Sequence, residues 1–216
     1  MVNHNTISED KILRAARKVF TENGFAGARM QAIAREAGVN KALLHYYFRS
    51  KEKLYQAVLK QILTQVWETI RREMGAGEKA QGIEEIIHTV VSAYIRTLKG
   101  NPDFPCIMLH EISSGGKNIP VILSELFSTF GDIFSRIMAG VAKSMSEGRL
   151  KPMEPVHIVM NLVGMIISTF LAKPFMPAIY RRVFQKELIM DDAFYEERIR
   201  AVTETLCRGI LIKETP

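Results

Sequence analysis

Residues 30–48 read MQAIAREAGVNKALLHYYF, and they predict two short helices joined by a tight turn. Ile33 and Ala34 lie on the inner face of the first helix, together with Ala37. Gly38 follows Ala34 by four residues. A small side chain at position 34 allows a close helix crossing, and a glycine at position 38 tolerates the positive φ of the turn. The spacing therefore predicts a helix-turn-helix.

The second of these helices is expected to bury one face and expose the other. Asn40 is a suitable N-cap, and Leu44, Tyr47 and Phe48 share one side at i, i+3 and i+4 spacing. A helix of two turns is marginal alone, so packing of that side must hold it. The opposite side carries Lys41, Ala42, His45 and Tyr46. These groups suit the major groove of DNA.

A longer helix is predicted upstream, which completes a three-helix unit. Apolar residues recur with helical spacing from Ile12 to Phe20 after a capping signal at residues 6–9. Asn23 and Gly24 are expected to end the helix, with Gly24 left-handed and Phe25 folded back onto the last turn.

Positive charge is concentrated in this first quarter of the chain. Residues 1–53 hold ten Lys and Arg against five Asp and Glu, whereas the remainder holds nineteen against eighteen. A basic segment of this kind is typical of a phosphate-contacting surface, although a solvated helix face is the plain alternative. Agreement between charge and helix pattern favours DNA binding.

The segment from Ile12 to Tyr55, with IAREAGVNKALLHYYFRSKEKLY at its centre, closely resembles the DNA-binding domain of the TetR family. The resemblance implies an all-α fold, in which a three-helix DNA-binding domain (residues 1–50) precedes a larger helical effector-binding and dimerisation domain (residues 51–216). It also implies a homodimer that represses transcription and is released from DNA by a small apolar or amphipathic effector.

By this resemblance the helix of residues 40–48 enters the major groove. Lys41, Ala42 and His45 would then face bases, while Tyr46 and Lys51 would reach phosphates. The DNA-contacting set implied is Arg29, Met30, Gln31, Asn40, Lys41, Ala42, His45, Tyr46 and Lys51. One departure is that the family usually has Thr or Ser where Ala28 and Arg29 stand, and Arg29 cannot cap a helix through a hydroxyl.

Six further helices are predicted beyond this segment. Ser50 can cap a long helix that ends near Gly75, and the others cover residues 83–99, 103–114, 119–147, 155–173 and 192–212. No helix is predicted between residues 174 and 191.

An effector site in this second domain is expected from aromatic, methionine and polar side chains on apolar helices. A plain hydrophobic core is the alternative reading of the apolar members. Polar members are stronger candidates because burial without a partner costs about 1–3 kcal/mol. The set is Trp67, His88, Met108, His110, Glu111, Phe127, Phe130, Asn161 and Met165.

Two apolar stripes are candidates for a subunit interface, which the family forms from two helices of each subunit. The residues are Val159, Leu162, Val163, Ile166, Ile199, Val202, Leu206 and Ile210. A two-fold dimer presents two recognition helices, so the DNA site is expected to be a palindrome.

Other classes of protein are disfavoured. Five dispersed histidines and two cysteines offer no metal cluster, and no catalytic constellation is recognised, so we expect neither an enzyme nor a cofactor. The longest apolar stretch, residues 158–172, is short for a membrane span, and residues 1–11 lack a signal-peptide pattern, which predicts a cytoplasmic protein without a membrane partner. A ligand carrier or protein-interaction module would explain residues 52–216 but not the first quarter.

Overall fold

The computed structural model describes the backbone of residues 4–75 and 82–210, and the side chains of residues 9–75 and 82–209. These residues form ten α-helices and no strand, which confirms the predicted all-α class. The helices are α1 (His4–Gly27), α2 (Met30–Glu36), α3 (Lys41–Tyr47), α4 (Lys51–Met74), α5 (Ile83–Lys99), α6 (Phe104–Ser113), α7 (Asn118–Ser146), α8 (Pro155–Leu171), α9 (Met176–Phe184) and α10 (Asp192–Ile210).

The helices divide between two compact units. Unit one comprises the described residues of 1–64 and 101–129, and unit two those of 65–100 and 130–216. Unit one therefore includes the first parts of α4 and α7 and all of α6, besides the three N-terminal helices. Neither unit ends at residue 50, and the assignment of DNA binding to residues 1–50 stays a prediction.

Aromatic packing around Tyr55 forms the centre of unit one. The Tyr55 ring lies edge-on to Phe20 at 4.9 Å and tilted against Phe25 at 5.0 Å. Phe20 and Tyr55 are almost fully buried. Phe25 reaches this cluster because α1 kinks at Gly24, where φ is 63° and ψ is 177°. The left-handed Gly24 ends the regular helix as predicted, Phe25 folds back onto Phe20, and a short further helical turn continues to Gly27.

Unit two is built on α5, α8 and α10. Helix α5 buries one face along its whole length, and α10 packs against it through Ile199 and Val202. Tyr195 of α10 stacks on Phe170 of α8 at 5.6 Å. Arg198 of α10 donates to the Thr169 hydroxyl at 2.8 Å, and burial lowers the pKa of Arg198.

Most predicted helices are present within a few residues of their expected ends. Helix α5 has the predicted bounds, and α7 contains a non-helical residue at Phe130. Helix α9 is absent from the prediction because prolines flank its start. Pro177 in fact lies in its first turn, where the missing N–H would be unpaired anyway.

Among the described residues, no helix taken alone has the length and apolar composition of a bilayer span. Helices α8 and α9 meet that test only as a pair, and they are bent by 82° at the break between them.

Candidate nucleic-acid interface

The turn between α2 and α3 has the geometry that its sequence predicts. Gly38 adopts a φ of 64°, and the Val39 amide donates to the Ala34 carbonyl at 3.0 Å, which closes the turn. Ile33 and Ala34 on α2 and Leu44 on α3 are buried at 0%, 4% and 0% exposure. The small side chain at position 34 lies in the buried crossing, as the spacing predicts.

Helix α3 is fixed at both ends and exposes one face. The Asn40 side chain accepts a hydrogen bond from the Leu43 amide at 2.7 Å, which confirms the predicted N-cap. Leu44 and Phe48 hold the inner side in the core. Tyr46 is 70% exposed. The remaining residues of the exposed face are Lys41, Ala42 and His45. Packing thus presents a cation, a small residue, an imidazole and a phenol on one rigid surface.

Arg29, Met30 and Gln31, at the start of α2, are further residues that are expected to contact DNA. Arg29 is the N-cap residue, with extended backbone angles of −117° and 135°, and its side chain makes no capping hydrogen bond. Arg29 and Gln31 are exposed, and Met30 is half-buried. The Arg29 side chain therefore does not cap α2.

Helix α2 is also tied to α1 by an ion pair. The Lys18 ammonium lies 2.7 Å from the Glu36 carboxylate, and this hydrogen bond raises the pKa of Lys18. Both side chains are exposed, so the pair contributes little to stability.

Lys51 is engaged within the chain rather than extended from it. Its ammonium donates to the Ala28 carbonyl at 3.1 Å and the Ala26 carbonyl at 3.4 Å, and it lies 4.6 Å from the centre of the Phe25 ring. These contacts fasten the link between α1 and α2 to the start of α4. The expectation that Lys51 contacts a phosphate stays a prediction, and sequence spacing offered no sign of this internal role. Ser50 caps α4 as expected, because its hydroxyl accepts from the Lys53 amide at 3.1 Å.

Helix α6 is attached to the N-terminal helices within unit one. The Arg17 guanidinium donates to Asn101 at 2.6 Å and lies 3.3 Å from the Asp103 carboxylate. The Tyr55 hydroxyl donates to the Ile107 carbonyl at 3.3 Å. These contacts attach α6 and the residues before it to α1 and α4 within unit one.

Glu111 is the centre of a buried polar network in the same unit. Its carboxylate accepts from the Asn118 amide at 2.7 Å and from the Asn118 side chain at 3.0 Å, and Gln56 donates to Asn118 at 2.9 Å. Burial first, and then the charge and hydrogen bond of Glu111, raise the pKa of Tyr55. Glu111 is 3% exposed and satisfied by the chain itself, so an effector is not needed to explain its burial.

The other predicted effector residues differ in burial and lie in different units. Trp67 and Phe130 are buried and stacked at 6.1 Å, with the Arg71 guanidinium 4.4 Å from the Phe130 ring. Phe127, Met108 and His110 belong to unit one, whereas Met165 and Asn161 belong to unit two with His88. His88, His110 and Asn161 are exposed in this chain, so the premise that burial makes them costly was wrong. Their role toward an effector remains a prediction.

The predicted interface stripes are largely covered by the chain itself. Ile199, Val202 and Leu206 are 1–3% exposed, and Leu162 and Ile166 are also buried. Val159 is 50% exposed and Val163 is half-buried, so these two are the accessible members. The side chain of Ile210 lies outside the described residues.

No group of three metal-ligating side chains occurs in the part of the chain that the structure describes. Cys106 is exposed and Cys207 is buried, and both are free thiols.

Known proteins similar to this chain in sequence and in fold are transcriptional regulators. The profile described as bacterial regulatory proteins, tetR family, matches residues 12–58. The transcriptional regulator RutR of Escherichia coli O157:H7 is 30% identical over 203 residues, which cover 92% of this chain and 88% of RutR. The transcriptional repressor NicS of Pseudomonas putida is 35% identical over 107 residues, or 48% of each chain.

A solved structure of similar fold is a TetR family transcription regulator from Marinobacter aquaeolei. It superposes with a TM-score of 0.73 at 16% identity and covers 99% of this chain and 100% of its own.

Proposed function

The chain belongs to the TetR family of bacterial transcriptional regulators, and we propose that it acts as a homodimeric repressor whose paired α3 helices bind a palindromic operator. It is a DNA-binding regulator and not an enzyme. The proposal adds the assembly, the operator symmetry, release by a small apolar or amphipathic effector, and a cytoplasmic location.

One observation carries the proposal: α3 exposes Lys41, His45 and Tyr46 on a helix that Asn40 caps and Leu44 anchors. A scaffold that already holds these side chains in place loses less conformational entropy on binding, so the side chains are available for DNA contacts. The first quarter also carries nearly all of the chain's net positive charge, which favours phosphate neutralisation.

We assign base contacts to Lys41, Ala42 and His45, and a phosphate contact to Tyr46. A good base contact contributes about 1–3 kcal/mol of discrimination, whereas a phosphate contact acts on all sequences alike. Arg29, Met30 and Gln31 would border the same groove. The Arg29 side chain, free of a capping role, is suited to a phosphate.

Effector release requires that the ligand bind better to a conformation that fits the operator poorly. The hydrogen bonds of Arg17 and Tyr55 to residues 101–107 support a route through α6, because they join it to α1 and α4 in one compact unit. Repression itself is supported by the similarity to NicS, a transcriptional repressor that aligns with about half of the chain.

The test is selection of bound sequences from a random DNA pool by the purified chain, repeated with Lys41→Ala/His45→Ala. We expect the chain to enrich a palindrome and the double variant to lose that enrichment while keeping weak, salt-dependent binding.

A matched control is Lys143→Ala/His157→Ala, which removes the same residue types from exposed positions on α7 and α8. The control should enrich the same palindrome as the parent chain. Loss of enrichment in the control as well, or an unchanged palindrome in the α3 variant, would contradict the assignment of base contacts to α3. Enrichment of a single half-site would contradict the dimer.

A further inference from the structure

Helix α9 is amphipathic, yet none of its residues is buried. Its apolar stripe consists of Ile179 and Val183, at 46% and 63% exposure, preceded by Phe175 at 50%. Phe184, the last residue of the helix, is 58% exposed, and Ile189, beyond the end of the helix, is 67% exposed. Side chains of this size cluster on a surface mainly where another molecule covers them.

The helix cannot cover this stripe by folding along α8. It leaves α8 at an angle of 82°, and none of its side chains is fully buried against the rest of the described chain. We propose that α9 is a dimerisation arm whose apolar stripe packs on a second copy of this chain. The proposal rests on the homodimer of the proposed function and names the element that completes it.

Charge supports a second copy as the occupant. Residues 173–186 carry four cations and no acid, namely Lys173, Arg181, Arg182 and Lys186. Residues 187–197 carry five acids and no cation, namely Glu187, Asp191, Asp192, Glu196 and Glu197. A two-fold axis places the same two segments on both subunits, so each basic arm can meet its partner's acidic segment.

Some of these acids already form ion pairs within the part of the chain that the structure describes, whereas the cations of α9 do not. Within the described residues, no ion pair includes a cation of α9, whereas Glu196 pairs with Arg96 and Asp192 with Lys99. Glu187 and Glu197 are exposed and belong to none of the ion pairs of the described residues. The unsatisfied charges are therefore complementary in sign. An anionic bilayer would attract the arm but repel the segment that follows it directly.

The apolar area is of the right size. The five large side chains of this surface expose on the order of 500 Å² together, and a standard interface takes about 800 Å² from each partner. Val156, Val159 and Met160 on α8 are 50–67% exposed and are of a size to supply the remainder.

The first experiment measures dimer dissociation of the full chain by sedimentation velocity over a dilution series. Ile179→Glu/Val183→Glu should raise the dissociation constant by about 100-fold, because two apolar anchors become charged at a buried contact. Leu109→Glu/Ile112→Glu is the matched control, since both residues are 52–54% exposed on α6, and it should leave the constant unchanged.

A charge exchange tests the pairing itself. Arg181→Glu/Arg182→Glu and Glu187→Lys/Glu197→Lys should each weaken the dimer by about 10-fold, and the chain with all four changes should regain most of that loss. Recovery in the fourfold variant supports contact between the arm and the acidic segment, because a merely destabilised helix would not recover.

The outcomes separate this proposal from the one on which it rests. An unchanged dissociation constant in every arm variant overturns the arm and leaves the homodimer standing. A parent chain that is monomeric at micromolar concentration overturns both. Binding to phosphatidylglycerol vesicles that Ile179→Glu/Val183→Glu abolishes, with the dimer unchanged, overturns the arm in favour of a membrane surface.

Discussion

Replacement of Lys51 by Met separates two roles for this residue. The Met side chain keeps the apolar stem but removes the ammonium, which donates to Ala28 and Ala26 and lies over Phe25. One good and one long hydrogen bond, with a cation–π contact at a half-buried site, contribute about 1–2 kcal/mol in total. We expect the free energy of unfolding in urea to fall by that amount.

DNA binding of Lys51→Met should weaken for all sequences, because the link that positions α2 is loosened. An ammonium that serves only these internal contacts neutralises no phosphate, so the slope of log affinity against log salt should then stay that of the parent chain. Lys53→Met is the control: within the described residues its ammonium donates only to Gln56 on the same helix, and stability should change by less than about 0.5 kcal/mol. Unchanged stability together with a salt slope reduced by about one unit would refute the internal role and establish a phosphate contact.

Three further predictions concern the core. Glu111→Ala should lower the free energy of unfolding by about 2–4 kcal/mol, because both donors of buried Asn118 lose their acceptor, and Glu111→Gln should cost less; a loss below about 0.5 kcal/mol in urea titration would contradict the network. Gly24→Ala should cost about 1–2 kcal/mol, since φ is 63° and the new Cβ would lie 3.3 Å from His110 Nδ1; an unchanged thermal midpoint would argue against this strain. Burial raises the pKa of Tyr94 from its ordinary 10.0 to about 12, so the unfolded chain ionises first and stability should fall as pH rises from 10 to 12; in parallel pH titrations Tyr94→Phe should remove up to about 2 kcal/mol of that fall, and an identical pH profile would contradict the assignment.

The helix-turn-helix could be predicted because its determinants are local. Gly38 and Ala34 lie four residues apart, and the Asn40 cap acts on Leu43 within the same turn. Such signals depend on backbone geometry that neighbouring residues alone determine. The excess of positive charge in the same segment then indicated DNA binding, and this inference needed no tertiary structure.

Contacts between residues that are far apart in the sequence could not be predicted from local patterns. Periodicity shows that Ile199 and Val202 form an apolar stripe, but it cannot show that the chain itself covers them. Likewise Glu111 looked like an unpaired buried acid, because its partner Asn118 follows a turn and Gln56 lies on another helix. Helix α9 was not predicted, although Pro177 lies in its first turn, where proline is tolerated.

The residues proposed for recognition and those proposed to couple α6 to α1 and α4 differ in physical character. Lys41 and His45 are exposed on α3, so substitutions there should change DNA affinity at nearly constant stability. Glu111 and Tyr55 are buried and hydrogen-bonded, so substitutions there should change stability and disturb α1, α4 and α6 together. A variant whose operator affinity falls in proportion to its stability would thus report on the support of α3. One whose affinity falls at unchanged stability would report on the contacts of α3 itself.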